Sequence, residues 1–457
     1  MPRGKSRSRF FRSLSLAPSI RHPFAVAGPL AFSAGLTALV FELLWIRLLG
    51  IEAGSPLLAF TLILTCFMSG TAGGALVLGR LADTNGSPLR IFGLCQIGVS
   101  LLGAVSYLGA ASGGLARPIL LHFNFEPGHL PFNMTLLSTH GFVSGAAAFM
   151  AGGSLPLLVK HVGPRSPLAG RAGTLASVQA LGGAAGALLC GLVLLPFAGL
   201  RLSLLVMSGL TVLTGLAALL LRSRAPSAQL PETPAPWSGS ESVSGPLRLA
   251  LPAVLLVSGM ALTILEVAWT RLTTLSFGSS AQASGVVLAL VIAGLGTGYA
   301  IGARLSTETR RPDRRLAWVL AAGTVSILGG DFIFGRLPLV VTWISGWLEA
   351  GGESSWLQIS TARFLVLLLP VSLPSLILGA VYPLALRLHS LERRSSACDG
   401  RDTGFASALS AIGNMAGPPL AYFGIMGSLG SRGCLLIPAF GLSLTAFLAM
   451  PEPRRGS

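Results

Sequence analysis

Two glutamates stand in apolar surroundings where a carboxylate is costly. Glu42 lies in the run Phe41-Glu-Leu-Leu-Trp-Ile-Arg-Leu-Leu-Gly50, and Glu266 lies in Leu265-Glu-Val-Ala-Trp-Thr-Arg271. Glu, Trp and Arg recur at one spacing, as Glu42, Trp45 and Arg47 and again as Glu266, Trp269 and Arg271. An ionised side chain at the centre of a membrane span costs about 2.5–3.5 kcal/mol on insertion scales. A repeated acid therefore points either to a site for a cation or a proton, or to a partner that neutralises an arginine. Five residues of helix turn the chain by about 140° around its axis, so Glu42 and Arg47 do not share a face. A bridge would have to cross between helices, or Arg47 snorkels to the interface. Trp45 and Trp269 follow each Glu on about the same face. They can stack on a cation or sit in an interfacial aromatic belt. Asp331 is a further acid in an apolar run, with no acidic counterpart in the first half of the chain. Gln179 and Asn414, in Gly-rich stretches, are candidate lining residues. Gln282, Tyr299, Tyr382 and Tyr422 fit ordinary bonding between helices, and Arg363 fits snorkelling.

Other chemistries find little support. His122, His129 and Glu126 match no ligand spacing, so no metal is expected. Cys66, Cys95, Cys190 and Cys434 fall in apolar stretches and Cys398 in a polar loop, without a CxxC pair. They read as packing residues. No nucleophile triad or phosphate loop is present in the sequence, and no cofactor is expected.

Long helices must position these residues. The chain has 457 residues, 52% hydrophobic and 11% charged, with 58 glycines and a mean hydropathy of +0.74. A soluble protein carries about 25% charge. The composition excludes disorder, collagen-like repeats and a disulfide scaffold, and indicates an all-α integral membrane protein. Apolar runs near residues 28–50, 57–79, 91–112, 135–159, 173–197 and 202–221 each suffice to cross. So do those near 250–275, 281–303, 316–335, 361–386, 404–428 and 433–450. Twelve spans result, in a first bundle over 28–221 and a second over 250–450. A basic arm (1–27), a Pro/Ser-rich linker (222–249) and a tail (451–457) flank them. Leu30 to Gly50 reads as a retained first span rather than a signal peptide. Glu42 then lies roughly 21 Å along the span that begins near residue 28, past the midplane toward the outside. With both termini cytoplasmic, all of the 32 Lys/Arg except Arg47, Arg117, Arg201, Arg271, Arg336, Arg363 and Arg432 fall inside, as positive-inside topology requires. The net charge of +16 is then a topological label and does not imply nucleic acid. Arg3, Lys5, Arg7, Arg9 and Arg12 of the arm would also attract anionic lipid.

The two bundles are repeats. Gly35–Arg80 aligns without a gap with Gly259–Arg304, and Gly173–Leu205 with Gly404–Leu436. Small-residue pairs recur at matching places: Gly70/Gly74 with Gly294/Gly298, and Gly182/Gly186 with Gly413/Gly417. Such pairs let helices approach closely in lipid. Pro156 and Pro383, each four residues after a glycine, suggest a bend shared by spans 4 and 10.

Gly79-Arg-Leu-Ala-Asp83-Thr-Asn-Gly86-Ser-Pro-Leu-Arg90 resembles the loop motif between helices 2 and 3 of the major facilitator superfamily. Gly79, Leu81, Asp83, Gly86 and Arg90 match it, and Thr84 replaces the usual Arg. Phe41–Gly50 with Gly54-Ser55 and Ala59-Phe60, Gly152-x-x-x-Pro156, Gly379-x-x-x-Pro383 and the Gly-rich spans 5 and 11 resemble the membrane region of the fused major-facilitator/spermidine-synthase-like family. The resemblance covers nearly the whole chain. It implies two six-helix halves about a central cavity lined by helices 1 and 7, with helices 2, 5, 8 and 11 between the halves. The soluble synthase domain of that family needs well over a hundred residues, and the longest stretch outside the spans is the linker. No enzyme activity is expected.

These readings imply a membrane transporter of a small solute, cationic or polyamine-like, working by alternating access. Its partners would be the bilayer and that solute, its place the bacterial inner membrane. A second reading is a non-transporting membrane subunit that organises a synthase-like enzyme or a larger complex. A third, an enzyme acting on lipid-borne substrate, lacks a catalytic constellation.

Overall fold

The computed structural model describes residues 18–124, 129–164, 167–222, 245–277, 281–308, 311–336, 339–340, 342–343, 346, 356–393 and 399–450. Most of the basic arm, the core of the linker, the tail, Glu126, Cys398 and Gly278-Ser279 lie outside the described residues, as do the side chains of Gln282 and Arg363. Among the described residues there is no strand.

The helices of the first half are α1 (Pro18–Ala53), α2 (Pro56–Thr84), α3 (Pro88–Ala111), the short α4 (Arg117–Phe123), α5 (Leu130–Gly152), α6 (Ser154–Val162), α7 (Leu168–Leu189) and α8 (Gly199–Arg222). Those of the second are α9 (Gly245–Phe277), α10 (Ala281–Glu308), α11 (Pro312–Phe334), α12 (Trp356–Arg393), α13 (Asp399–Pro419) and α14 (Met426–Leu448). Proline at the first turn starts α2, α3 and α11, where its missing N–H costs nothing. The first helix begins at Pro18, before the expected start at residue 28, because hydropathy does not register the polar end of a helix.

Ten helical stretches are long and apolar enough to cross a membrane. Two of them, Leu168–Leu221 with 54 residues and Asp399–Leu448 with 50, are more than twice the length of one crossing. Each passes through a π-helical segment, Cys190–Ala198 or Leu420–Ile425. Each then leaves helical geometry at a glycine of positive φ, Gly199 (69°) or Gly430 (67°). Prolines account for the π segments. Pro196 lies inside the first, and Pro418 and Pro419 precede the second, so the ordinary i→i−4 ladder is interrupted there.

The halves pack alike. α1 lies on α7 as α9 lies on α13, α2 on α5 as α10 on α12, and α3 on α8 as α11 on α14. The correspondence extends to single contacts. A methyl group on Gly182 or Gly186 would fall on the carbonyls of Phe32 or Leu36. One on Gly413 or Gly417 would meet the equivalent carbonyls of Leu256 or Met260. Only glycine permits backbones this close. Between the halves, α2 packs on α13 and α7 on α10, the four helices the glycine pairs marked. The bend expected in both spans 4 and 10 shows as a helix break in the first half alone. There Gly153 separates α5 from α6, whereas α12 continues as helix through Pro383.

Candidate functional site

Glu42 on α1 is 2% exposed and Glu266 on α9 is 4% exposed. The two come from equivalent places in opposite halves. No hydrogen bond or ion pair ties either carboxyl to another described residue, and Glu266 Oε1 is buried without a partner. The arginines of the repeat do not neutralise them. Arg47 is exposed, and Arg271 is half-buried in the neighbourhood of Cys434 on α14.

The tryptophans lie elsewhere than a belt or a cation platform would put them. Trp45 is buried, its Nε1–H donating to Ser106 Oγ at 2.8 Å. Its ring stacks on Phe41 at 5.3 Å and tilts against Phe67, inside the first half's core. Trp269 is likewise buried in the core of the second half. Both therefore pack the helices that carry the acids. Gln179 is half-buried, with its backbone against Gly35. Asn414 is also half-buried, and its Oδ1 is buried without a hydrogen bond against Gly259. Asp331 stands apart from the pair and binds Arg432 on α14, Oδ2 to Nη2 3.2 Å. Arg201, the equivalent of Arg432, ties α8 to the end of α3 through the carbonyl of Ala110 at 3.0 Å. Asp331 and Arg432 thus form the second half's version of a helix-end tie. Tyr382 bonds Ser407 at 2.9 Å and meets the Tyr299 ring edge-on. His122 and His129 are exposed, and no cluster of three His, Cys, Asp or Glu occurs among the described residues.

At the end of the bundle that carries most of the basic residues, here called inner, charges join the halves. Asp83 of α2 accepts the N–H groups of Gly400 (3.1 Å) and Arg401 (2.8 Å). It thereby occupies the N-terminus of α13, where orphan amides and the helix dipole favour an anion. Lys160 of α6 binds the same carboxylate at 2.7 Å. Gly79 makes room for this approach, because Gly400 and Gly404 pass directly against it. Gly86 and Arg90, the other motif residues, are exposed, and Gly86 has open space around it. Arg171 of α7 crosses to Asp399 of α13 at 2.7 Å, with both side chains buried. Its Nη1 also donates to the Val159 carbonyl. On the second seam Thr307 lies at Gly170 and Ala303 at Gly173.

The sequence reading missed a cluster at the outer end of α1. Glu52 accepts the N–H groups of Leu115 (2.8 Å) and Ala116 (3.2 Å) and binds His140 Nε2 at 3.0 Å. His140 is a lone histidine within an apolar run, which was the available signal. Its partner was hidden because Glu52 falls at a helix end and reads as loop.

No family model matches the chain, and no curated protein does. Solved structures do. The human organic anion transporter MFSD10 (TETRAN) superposes with a TM-score of 0.60 at 16% identity, over 95% of this chain and 100% of that one. A variant of the Escherichia coli fucose:proton symporter FucP gives 0.53 at 16% identity, over 94% and 98%. The chain is an all-helical membrane protein with a major-facilitator-like fold.

Proposed function

We propose that the protein is a secondary transporter whose two halves rock about the Glu42–Glu266 pair and expose it to each side in turn. One observation carries this reading: equivalent acids from opposite halves, Glu42 and Glu266, are both buried in the membrane-spanning region with no hydrogen bond or ion pair to another described residue. Two uncompensated buried anions cost several kcal/mol each, and a bound cation or proton removes that cost. Such a centre changes its preferred surroundings when it loads and unloads, which is what coupling requires. The fold supports the reading, since both structural neighbours are transporters. The paired contacts of Gly79, Gly173 and Gly404 give seams of small residues along which the halves slide.

Within this proposal the chain crosses the bilayer twelve times, because the 54- and 50-residue stretches each supply two crossings. The basic, inner end faces the cytoplasm of a bacterium, and the charges at Asp83 and Arg171 hold that end shut. The chain acts without enzyme activity. Its resemblance to the spermidine-synthase-like membrane region is a proposal of the same rank. Uptake by proteoliposomes of a panel of amines, sugars and carboxylates, with a lumenal pH dye, tests the function. Glu42→Gln and Glu266→Gln are expected to lower uptake at least tenfold while the proteins remain folded. Wild-type uptake by both variants would refute the site. No uptake of any solute, with a soluble enzyme co-purifying in fixed ratio, would favour the subunit reading.

A further inference from the structure

Glu52 stands where a carboxylate does its own helix no service. It lies in the last turn of α1, and the C-terminal end of a helix disfavours an anion. Its partners account for it. In the turn after α3, Gly113 and Gly114 take positive φ, 93° and 153°. The amides of Leu115 and Ala116 then donate to Glu52 at 2.8 and 3.2 Å. A methyl group on Gly114 would lie 2.7 Å from the carboxyl carbon, so the turn is shaped to this side chain. His140 of α5 is the third donor, Nε2 to Oε1 at 3.0 Å, with the two side chains 1% and 8% exposed. Ser112 and Gly113 of the same turn are exposed, so the cradle lies just beneath the outer surface.

The second half has no copy of this pair. The register that matches Gly35 with Gly259 sets Ser276 against Glu52, and the one that matches Gly152 with Gly379 sets Leu367 against His140. The repeat is built there without the pair, so the architecture does not demand it. Backbone amides only donate, which suits Glu52 as the carboxylate. Facing it, the neutral ring carries its hydrogen on Nε2 and its lone pair on Nδ1. That Nδ1 is buried with no partner among the described residues, and it is where a further proton goes. The ring then becomes a cation, its bond to Glu52 becomes charge-assisted, about twice as strong as a neutral one, and the buried pair loses its net negative charge. The new Nδ1–H opposes this, but an unbonded N–H costs less than an unpaired buried charge. No other described charge does the same work. Arg117 lies on Gly113, and Arg201 is taken by the carbonyls of Ala110 and Ala111. Arg47 and His129 are exposed. Cys66 lies at Gly141, and Tyr107 packs in the core of the first half. Glu42 is ten residues back along α1, about 15 Å.

We propose that Glu52 and His140 form a proton-binding site, and that a proton taken up at Nδ1 from the outer side tightens the hold of Glu52 on the 112–116 turn. Proton uptake and closure of the turn favour each other by linkage. The added hold is full at acid pH and is lost as pH rises through the ordinary histidine range. The proposal does not rest on the transporter reading.

Amide exchange over residues 112–123 of the full chain in lipid nanodiscs, corrected for the intrinsic pH dependence of exchange, reads the hold. Between about pH 8 and about pH 5.5, either side of the ordinary histidine range, protection should rise about threefold or more. His140→Gln keeps a side-chain N–H for Glu52 but takes up no proton, and Glu52→Gln removes the charge. Each should make the protection independent of pH. Nitrogen spectra of imidazole-labelled protein, with the His140 signals identified by their loss in His140→Gln, should show Nε2–H alone at the upper pH and both nitrogens protonated at the lower. The wild-type comparison of the two pH values stands even if a variant fails to fold. Protection that is flat in the wild type, or that falls at acid pH, overturns the proposal. So does a pH response that persists in both variants, or a neutral ring with its hydrogen on Nδ1.

Discussion

Removing one charge from the Arg171–Asp399 pair should open the inner end of the molecule. The side chains are 2% and 8% exposed and 2.7 Å apart, so solvent screens them little. They sit in opposite halves, so the pair exists only while the inner ends are together, and its loss acts on that state alone. Breaking a buried pair by neutralising one partner costs about 3–5 kcal/mol, chiefly because the other charge is left uncompensated. Arg171 also donates to Val159 within its own half, which keeps part of its bonding and places Asp399→Asn near the lower figure. At about 1.4 kcal/mol per factor of ten, the closed-to-open ratio falls roughly a hundredfold. Spin labels at Arg80→Cys and Arg304→Cys, exposed residues at the inner ends of α2 and α10, report the separation by pulsed electron resonance in lipid. Asp399→Asn should move most of the distance distribution to longer values. The double variant Arg171→Gln/Asp399→Asn, which removes both charges, should recover much of the wild-type distribution. A wild-type distribution for the single variant would refute the reasoning, and so would a double variant as open as the single one.

Other outcomes follow from the same geometry. Gly404→Val should disfavour the closed inner end by about 1–3 kcal/mol, since its side chain meets the Ala75 carbonyl. The same label pair measures this. Trp45→Phe removes the bond to Ser106 and should lower stability by about 1 kcal/mol, read as a lower unfolding midpoint. Glu52→Ala strands the amides of Leu115 and Ala116 together with His140. Amide exchange over residues 112–123 should then quicken about tenfold or more.

The architecture was largely open to reading because it depends on repeated local signals. Apolar runs set the helices, and the glycine pairs marked which helices approach, since Gly182 and Gly186 have one use at such spacing. The acids Glu42 and Glu266 were visible for the same reason: a charge in an apolar run stands out, and twice in register more so. What stayed hidden depends on which faces turn inward. Trp45 and Trp269 follow their acids on the helix, but periodicity does not say whether that face meets lipid, solute or core, and the core took them. Arg171 and Lys160 registered only as members of basic inner loops, because their partners Asp399 and Asp83 lie far away in sequence. Asp331, conspicuous as a lone acid, proved to be the mate of an arginine whose counterpart, Arg201, manages with backbone carbonyls.

The seams at the inner end are unequal, which would give the proposed motion a handedness of its own. At α2 and α13 the contact is a bolt, made by Asp83 accepting the first amides of α13, while Lys160 of its own half neutralises Asp83. At α7 and α10 the corresponding places hold Thr307 and Ala303 against glycines. Two halves related by a near two-fold would part evenly if both seams were alike. In the proposed rocking motion the bolted side must release the amides of α13 while small residues against glycines can turn in place, so the halves would swing as a door does about a hinge. Inner-side salt weakens the bolt and spares the hinge, which makes ionic strength a handle on when the door opens without altering the axis on which it turns.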